Sequence, residues 1–307
     1  MLKILLIFIS VGLMSYLLYH CHHAYILAYE LSHPKRRDDK IDSYLSLVIK
    51  KFDFKTDDGI TLKGIEIAPK MAPKGTILTC HYLGGSKEMI VPFIDPLLKA
   101  GYRVLSFDFR NHGESETAKN IKFSLKDDFF CFYKHIKQLG YEGPFGIIGF
   151  SMGSTSAIFG LDRFQDIKAA IIDSGPLIMV QDYFKYVLKD QKIQNSICRI
   201  FFLLIFLYYA GFRRMSRMTI LVLNKMKEKK VLFIHGERDN IIPLSDAKFA
   251  LASMPEGNGE LWSIPGSRHL TNRFLKKEEY EKRIVDFFDF HLSERSYIDD
   301  ESSTNIS

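Results

Sequence analysis

A buried strand that runs into Gly149-Phe150-Ser151-Met152-Gly153 and then into a helix leaves a chain few folds to adopt. The strand spans residues 144–150 and is apolar throughout, and helical signals resume at Ser154. A serine between the two sits on a strained turn that lifts its hydroxyl clear of the sheet. Only small residues two positions before and after it avoid a clash, and Gly149 and Gly153 stand there. The following helix points its amino terminus at the site and favours developing negative charge. Taken alone, the same five residues also read as a glycine-rich helix start with an incidental serine. The strand before and the helix after argue against that.

The remaining chain repeats this alternation. Residues 51–69 read as a hairpin, with Phe52, Phe54, Ile60, Leu62, Ile65 and Ile67 apolar and Asp58-Gly59 at the turn. Strands are expected at 75–82, 103–109, 168–174, 230–236 and 260–266. Helices are expected over 87–100 and 125–139, stopped by Gly101 and Gly140. Strands separated by helices of this length form a mostly parallel sheet with helices on both faces. Ligands in such sheets lie at the carboxyl ends of the strands, so the chemistry is sought there. The 307 residues, 47% hydrophobic and 25% charged, suffice for one large domain with a short appendage.

The amino terminus is of another kind. Ile4 to Tyr29 contains no Asp, Glu, Lys or Arg. About 20 apolar residues cross a bilayer as a helix, and Tyr16, Tyr19, Tyr25 and Tyr29 suit a headgroup belt. A cleaved leader wants small residues after its apolar core, but YHCHHAY follows here. Leu18-Tyr19-His20 before Cys21 fits a lipoprotein poorly. Residues 1–30 therefore read as an uncleaved single-pass membrane anchor and transmembrane helix. Residues 31–50 read as a linker, 51–293 as the main domain and 294–307 as a disordered tail. Lys35, Arg36, Arg37 and Lys40 outnumber Lys3, which places the main domain on the cytoplasmic side.

Residues 176–229 break the alternation. They contain the apolar run 197–212, interrupted by Arg199 and flanked by Lys189, Lys192, Arg213, Arg214 and Arg217. Three readings stay open: one buried core helix, a second membrane span, or a helical cap over the site that dips into lipid. The uncharged run is short for a span, and a cap insertion is preferred. The net charge of +6 is carried by scattered Lys and Arg, with no basic stripe interleaved with aromatics, so nucleic acid is not an expected partner. An anionic membrane surface is the better one. Cys21, Cys80, Cys131 and Cys198 form no C-x-x-C pair, give no zinc or redox signature, and read as small buried hydrophobes.

A serine hydroxyl needs a base to become a nucleophile, and a histidine base needs a carboxylate to hold its tautomer. Asp239 lies just past the strand at 230–236, and His269 lies in the loop after the final strand. His235 and His291 are poorer bases by position. Glu237 and Asp173 compete with Asp239, which also reads as a helix cap before Pro243. An oxyanion hole needs backbone N–H donors. Met152 supplies one, and Leu83, after the strand at 75–82, supplies the other.

Four segments resemble a known family. HYLGG at 81–85 is similar to its H-G-x-G-G, and DFRNHGES at 108–115 to its D-x-R-G-H-G-x-S. GFSMG is its elbow, and GERDNIIP at 236–243 matches G-x-x-D-x-x-x-P. From Phe52 to His291 the chain resembles the α/β-hydrolase superfamily, in its serine-aminopeptidase-like and monoacylglycerol-lipase-like branch. Tyr82 and Asn111 stand where the family has glycine, and Arg110, His112 and Glu114 read as structural. The resemblance implies ester hydrolysis through an acyl-enzyme on a Ser151–His269–Asp239 triad, with no metal or cofactor. The apolar run and the anchor favour lipid acyl esters such as monoacylglycerols or lysophospholipids. Amide hydrolysis on peptides, and a catalytically silent membrane-anchored binding protein, are the other readings. Oligomeric state is left open.

Overall fold

The computed structural model describes residues 1–36, 47–119 and 125–293. The expected tail lies outside the described residues, as does half of the expected linker, residues 37–46. Eight strands form one sheet: β1 (Leu47–Lys55), β2 (Thr61–Pro69), β3 (Thr76–Cys80), β4 (Arg103–Phe107), β5 (Phe145–Phe150), β6 (Ile167–Asp173), β7 (Lys230–Gly236) and β8 (Gly259–Ile264). Their order is β1-β2-β4-β3-β5-β6-β7-β8. β2 pairs antiparallel with β1 and β4, and the pairings beyond β4 are parallel. Strands β3 and β5 are wholly buried, and β5 is an apolar run while β3 carries only Thr76 and Thr79 as polar residues, as suits strands covered on both faces. The β1–β2 turn falls at Asp58-Gly59 as expected, with Gly59 at φ +86°.

Helices α2 (Val91–Lys99) and α10 (Lys277–His291) cover one face through Ile94, Leu97, Ile284 and Phe288. On the other face lie α3 (Leu125–Gln138), α4 (Met152–Arg163) and α8 (Leu244–Ala252), with Phe129, Phe132, Leu161 and Ala250 inward. Helix α2 begins four residues later than its expected start at Lys87. The Lys87 side chain is fully buried instead, with its Nζ 2.8 Å from Asp108 Oδ2 and 2.7 Å from Glu114 Oε2. Burial works against the Lys87 charge, but those two carboxylates and Glu88 outweigh it and hold the ammonium protonated.

Apart from the short α9 (Asn272–Leu275), the remaining helices build a second apolar cluster. The run 197–212 is not one core helix. It divides into α6 (Ser196–Leu204), a π turn (Ile205–Tyr209) and the start of α7 (Phe212–Leu223), with Gly211 at φ +82° making the break. With α5 (Val180–Asp190), these segments make a helical cap insertion within 176–229. Its core joins Phe202, Phe206, Phe212 and Val187 to Ala24 and Ala28 of α1 (Leu2–Ser32).

Helix α1 has two parts. Leu2 to Ser15 is exposed, with an apolar surface that nothing in the described protein covers. The last third packs on α6 and then docks on the main domain. The Ser32 carbonyl accepts from Asn111 Nδ2 at 2.9 Å, His33 Nε2 donates to the Ala118 carbonyl at 2.8 Å, and Arg36 donates to Gly113 O and Thr117 Oγ1. Asn111 sits at φ +69°, a conformation asparagine tolerates, which lets it replace a glycine and add this hook.

Candidate active site

The chain order reverses between β3 and β5, and a crevice forms there at the strand ends. β5 delivers Ser151 into it. Ser151 adopts φ +47° and ψ −111°, and its N–H donates to the Asp173 carbonyl at 2.9 Å. Both glycines of the motif are required by space. A Cβ on Gly153 would lie 2.2 Å from Cys80 O, and one on Gly149 would lie 2.6 Å from Ser154 Cα. Helix α4 begins at Met152, directly after the serine and two residues earlier than expected.

The structure brings Ser151, His269 and Asp239 into one hydrogen-bonded line. His269 Nε2 lies 2.8 Å from Ser151 Oγ, and His269 Nδ1 lies 2.6 Å from Asp239 Oδ2. A carboxylate only accepts, so Nδ1 carries the proton and Nε2 is left to accept from the serine hydroxyl. Asp239 is fixed from behind, since its Oδ1 accepts the Ile241 and Ile242 N–H groups, each at 2.9 Å. The side chain of Asp239 is buried and that of His269 is nearly so.

The two rival carboxylates do not reach the histidine. Glu237 is exposed. Asp173 is fully buried, and its oxygens accept from Tyr280 Oη, Asn272 Nδ2 and Ser174 Oγ. Burial raises its pKa against those three donors. Ser174 also accepts from the Leu270 N–H at 3.1 Å, so this network holds the loop that carries His269. No motif marks it. The only sign in the sequence is an aspartate at the end of an apolar strand. His235 is buried and donates Nε2 to the Ile242 carbonyl at 2.8 Å, and His291 lies on α10, away from the crevice.

Leu83 and Met152 both line the cavity over Ser151. Among the described residues, neither backbone N–H donates to a protein acceptor. The loop that carries Leu83 is held by His81, which is fully buried. Its Nδ1 donates to Tyr82 O at 2.8 Å, and its Nε2 accepts from the Phe109 N–H at 3.0 Å. Burial lowers the His81 pKa to about 4, and lowers that of neighbouring His112 to about 3. Arg110 and Glu114 belong to the scaffold. Arg110 pairs with Asp128 and Asp58, and Glu114 with Lys87.

The cavity measures about 250 Å³ and is mainly apolar. Tyr82 narrows one side, Leu177, Val187 and Phe212 come from the cap, and Leu31 comes from α1. Asp190 of the cap is the one carboxylate on its wall among the described residues.

Fold and strand-end site together define a protein of α/β-hydrolase type. A family model for the alpha/beta hydrolase fold matches residues 75–196. An esterase of Pyrococcus furiosus, Pf2001, superposes with a TM-score of 0.67 at 25% identity, over 85% of this chain and 100% of that one. The α/β hydrolase GrgF of a Penicillium species superposes at 0.62 and 17% identity, over 80% and 99%. An uncharacterised Bacillus subtilis protein, YqkD, is 26% identical over 82% of this chain and 83% of its own. An uncharacterised membrane protein of Saccharomyces cerevisiae is 21% identical over 81% of each. The chain has the α/β-hydrolase fold, and its esterase neighbours support ester hydrolysis.

Proposed function

We propose that this protein is a membrane-anchored serine hydrolase that cleaves carboxylic esters whose acyl chains partition into lipid. The observation that carries the reading is His269 within hydrogen-bond reach of both Ser151 Oγ and Asp239 Oδ2, at the floor of an apolar cavity. In this reading His269 Nε2 takes the Ser151 proton as Oγ attacks the ester carbonyl. The Leu83 and Met152 amides and the amino terminus of α4 stabilise the oxyanion. The imidazolium then protonates the leaving alcohol. Water repeats the cycle on the acyl-enzyme and releases the acid. Asp239 keeps Nδ1 protonated and balances the charge on the ring.

The lipid part rests on two surfaces. Helix α1 is long and apolar enough to span a bilayer, and the yeast relative is named a membrane protein. On the cap, Ile200, Leu204, Tyr208, Tyr209 and Leu221 expose further large apolar area, and Leu204, Tyr208 and Tyr209 share a groove with Leu18 and Tyr25 of α1. An apolar face of that size suits contact with the membrane boundary. The basic residues after α1 support a main domain on the cytoplasmic side.

The experiment is fluorophosphonate labelling of the full chain in membranes, alongside hydrolysis of acyl esters of graded length. Labelling and turnover that vanish in Ser151→Ala are expected. A well-folded wild type that neither labels nor turns over esters sinks the enzymatic reading. Hydrolysis of short soluble esters alone, with or without bilayers, sinks the lipid part. A second reading, amide hydrolysis of aminoacyl substrates, is favoured by Asp190, which offers a carboxylate to a substrate amine. Faster cleavage of aminoacyl amides than of acyl esters would promote it.

A further inference from the structure

Where α1 meets the cap, three metal-ligating side chains converge outside the Ser151 cavity. His20 and His23 are three residues apart and so share one face of α1, and Cys198 faces them from α6. Their ligand atoms all lie within 4.8 Å of one another. His20 is 8% exposed and Cys198 is 1% exposed. His20 Nδ1 is buried without a hydrogen-bond partner, while the rings of Tyr16 and Tyr19 pack edge-on against its imidazole. A buried ring nitrogen with nothing to bind is unusual for an imidazole that serves only as packing.

We propose that His20, His23 and Cys198 bind a zinc ion that fastens the anchor helix to the cap. Zinc takes imidazole nitrogen at about 2.0–2.1 Å and thiolate sulfur at about 2.3 Å, which sets the two atoms roughly 3.6 Å apart at the tetrahedral angle. The His23 Nδ1 to Cys198 Sγ distance is 3.7 Å. His23 is exposed, so the fourth position is open to water. On binding, the Cys198 thiol releases its proton to solvent and no other bond changes.

Depth along the helix agrees. Leu2 to Tyr19 spans roughly 27 Å at 1.5 Å per residue, close to a hydrocarbon core, so the histidines fall at the interface, where water and ions reach. The consequence is mechanical. Leu31, on the same helix, lines the Ser151 cavity. It lies about 16 Å along the axis from His20. An ion that locks α1 against α6 therefore fixes the position of one cavity wall. The site stands whether or not Ser151 is a nucleophile.

The test uses the full chain in lipid nanodiscs, purified without a histidine tag. Bound metal is read by mass spectrometry after gel filtration, and cobalt(II) is titrated as a coloured stand-in for zinc. The expected result is one zinc per chain and a thiolate-to-cobalt charge-transfer band. Cys198→Ser should abolish the band, and both it and His20→Gln should weaken zinc by more than about 100-fold, since losing even a group behind a ligand costs 10–100-fold. His22→Gln, outside the cluster, should bind as wild type does. Near-ultraviolet circular dichroism of each variant separates lost binding from lost fold. The proposal fails if folded wild type takes up no zinc, if Cys198→Ser retains it, or if the protein holds copper that zinc does not displace.

Discussion

The floor and the roof of the Ser151 cavity are built by different physics. On the floor, position is set by direction. Asp239 spends one oxygen on two backbone amides and the other on His269, and His269 spends its second nitrogen on Ser151. Neighbours of Gly149 and Gly153 come closer than any side chain tolerates. On the roof, position is set by packing. The aromatic rings of Phe202, Phe206 and Phe212 stack in series, in one apolar cluster with Ala24 and Ala28 of α1. Directional contacts demand particular residues at particular spacings, whereas apolar packing accepts many residues of similar volume. The floor is therefore suited to fixing the reaction, and the roof to setting what enters.

The largest expected effect tests whether the floor depends on one carboxylate. Asp239→Asn should lower kcat for an acyl ester by about 10⁴-fold through loss of the histidine tautomer. Asp173→Asn keeps the loop's donors nearby and touches no reacting atom, so it should cost stability far more than turnover. Steady-state kinetics and thermal melts on both variants decide. Equal kinetic losses would mean that the buried network reaches the histidine directly.

Breaking the roof should leave the floor standing. Phe206 is 1% exposed at the centre of the cap core. Truncating such a ring typically costs 3–5 kcal/mol, so Phe206→Ala should cost about that much, and the cost should fall on the cap. Limited proteolysis should then cut within 176–229 while the sheet keeps its melting transition. A single transition lowered for both regions would show that roof and floor fold as one unit.

The floor should also be the more sensitive to acid. His81 accepts the Phe109 N–H and is folded in its neutral form, with a pKa of about 4. A depressed histidine contributes stability that is present above its unfolded pKa. That stability is lost as pH falls from about 6.5 towards the folded value, and amounts to about 3 kcal/mol in all. Chemical denaturation at stepped pH should show this slope, with His112 adding to it. His81→Gln should be less stable at neutral pH but lose less on acidification. An unchanged slope would remove His81 from the account.

The same contrast decides what the sequence discloses. Ser151, Asp239 and His269 were legible because each follows a strand, directly or within a short loop, and is of a type the chemistry needs. The structure brings those three together. The docking of α1 was not legible. Ala24 and Ala28 lie in a helix that is apolar all round, so no stripe points to a partner. The division of 197–212 was hidden for the same reason, and Gly211 was its only sign. The helix start at Lys87 was misplaced because the burial of Lys87 depends on Asp108 and Glu114, distant in sequence, together with Glu88. Asn111 and Tyr82 were visible as departures from a resemblance, but their consequences needed the position of Ser32 and of the cavity.

The smallest effect is the one that ties roof to floor most directly. Leu31 is half-buried on α1 yet lines the cavity over Ser151, although 120 positions separate the two residues in the sequence. If α1 is only a tether, its side chains are indifferent to substrate. If it is a wall, volume added at Leu31 must be taken from the acyl chain. Leu31→Trp should then lower kcat/KM for the longest accepted esters by roughly 10- to 100-fold, since each methylene in an apolar pocket carries 1–3 kcal/mol of discrimination. The shortest esters should be cleaved as before, because Ser151, His269 and the Leu83 and Met152 amides stay in place. Tyr82→Gly, which removes another side chain from the cavity lining, should shift the preference towards longer chains. A Leu31→Trp enzyme with an unchanged chain-length profile would detach the anchor from the active site and leave substrate selection to the cap helices alone.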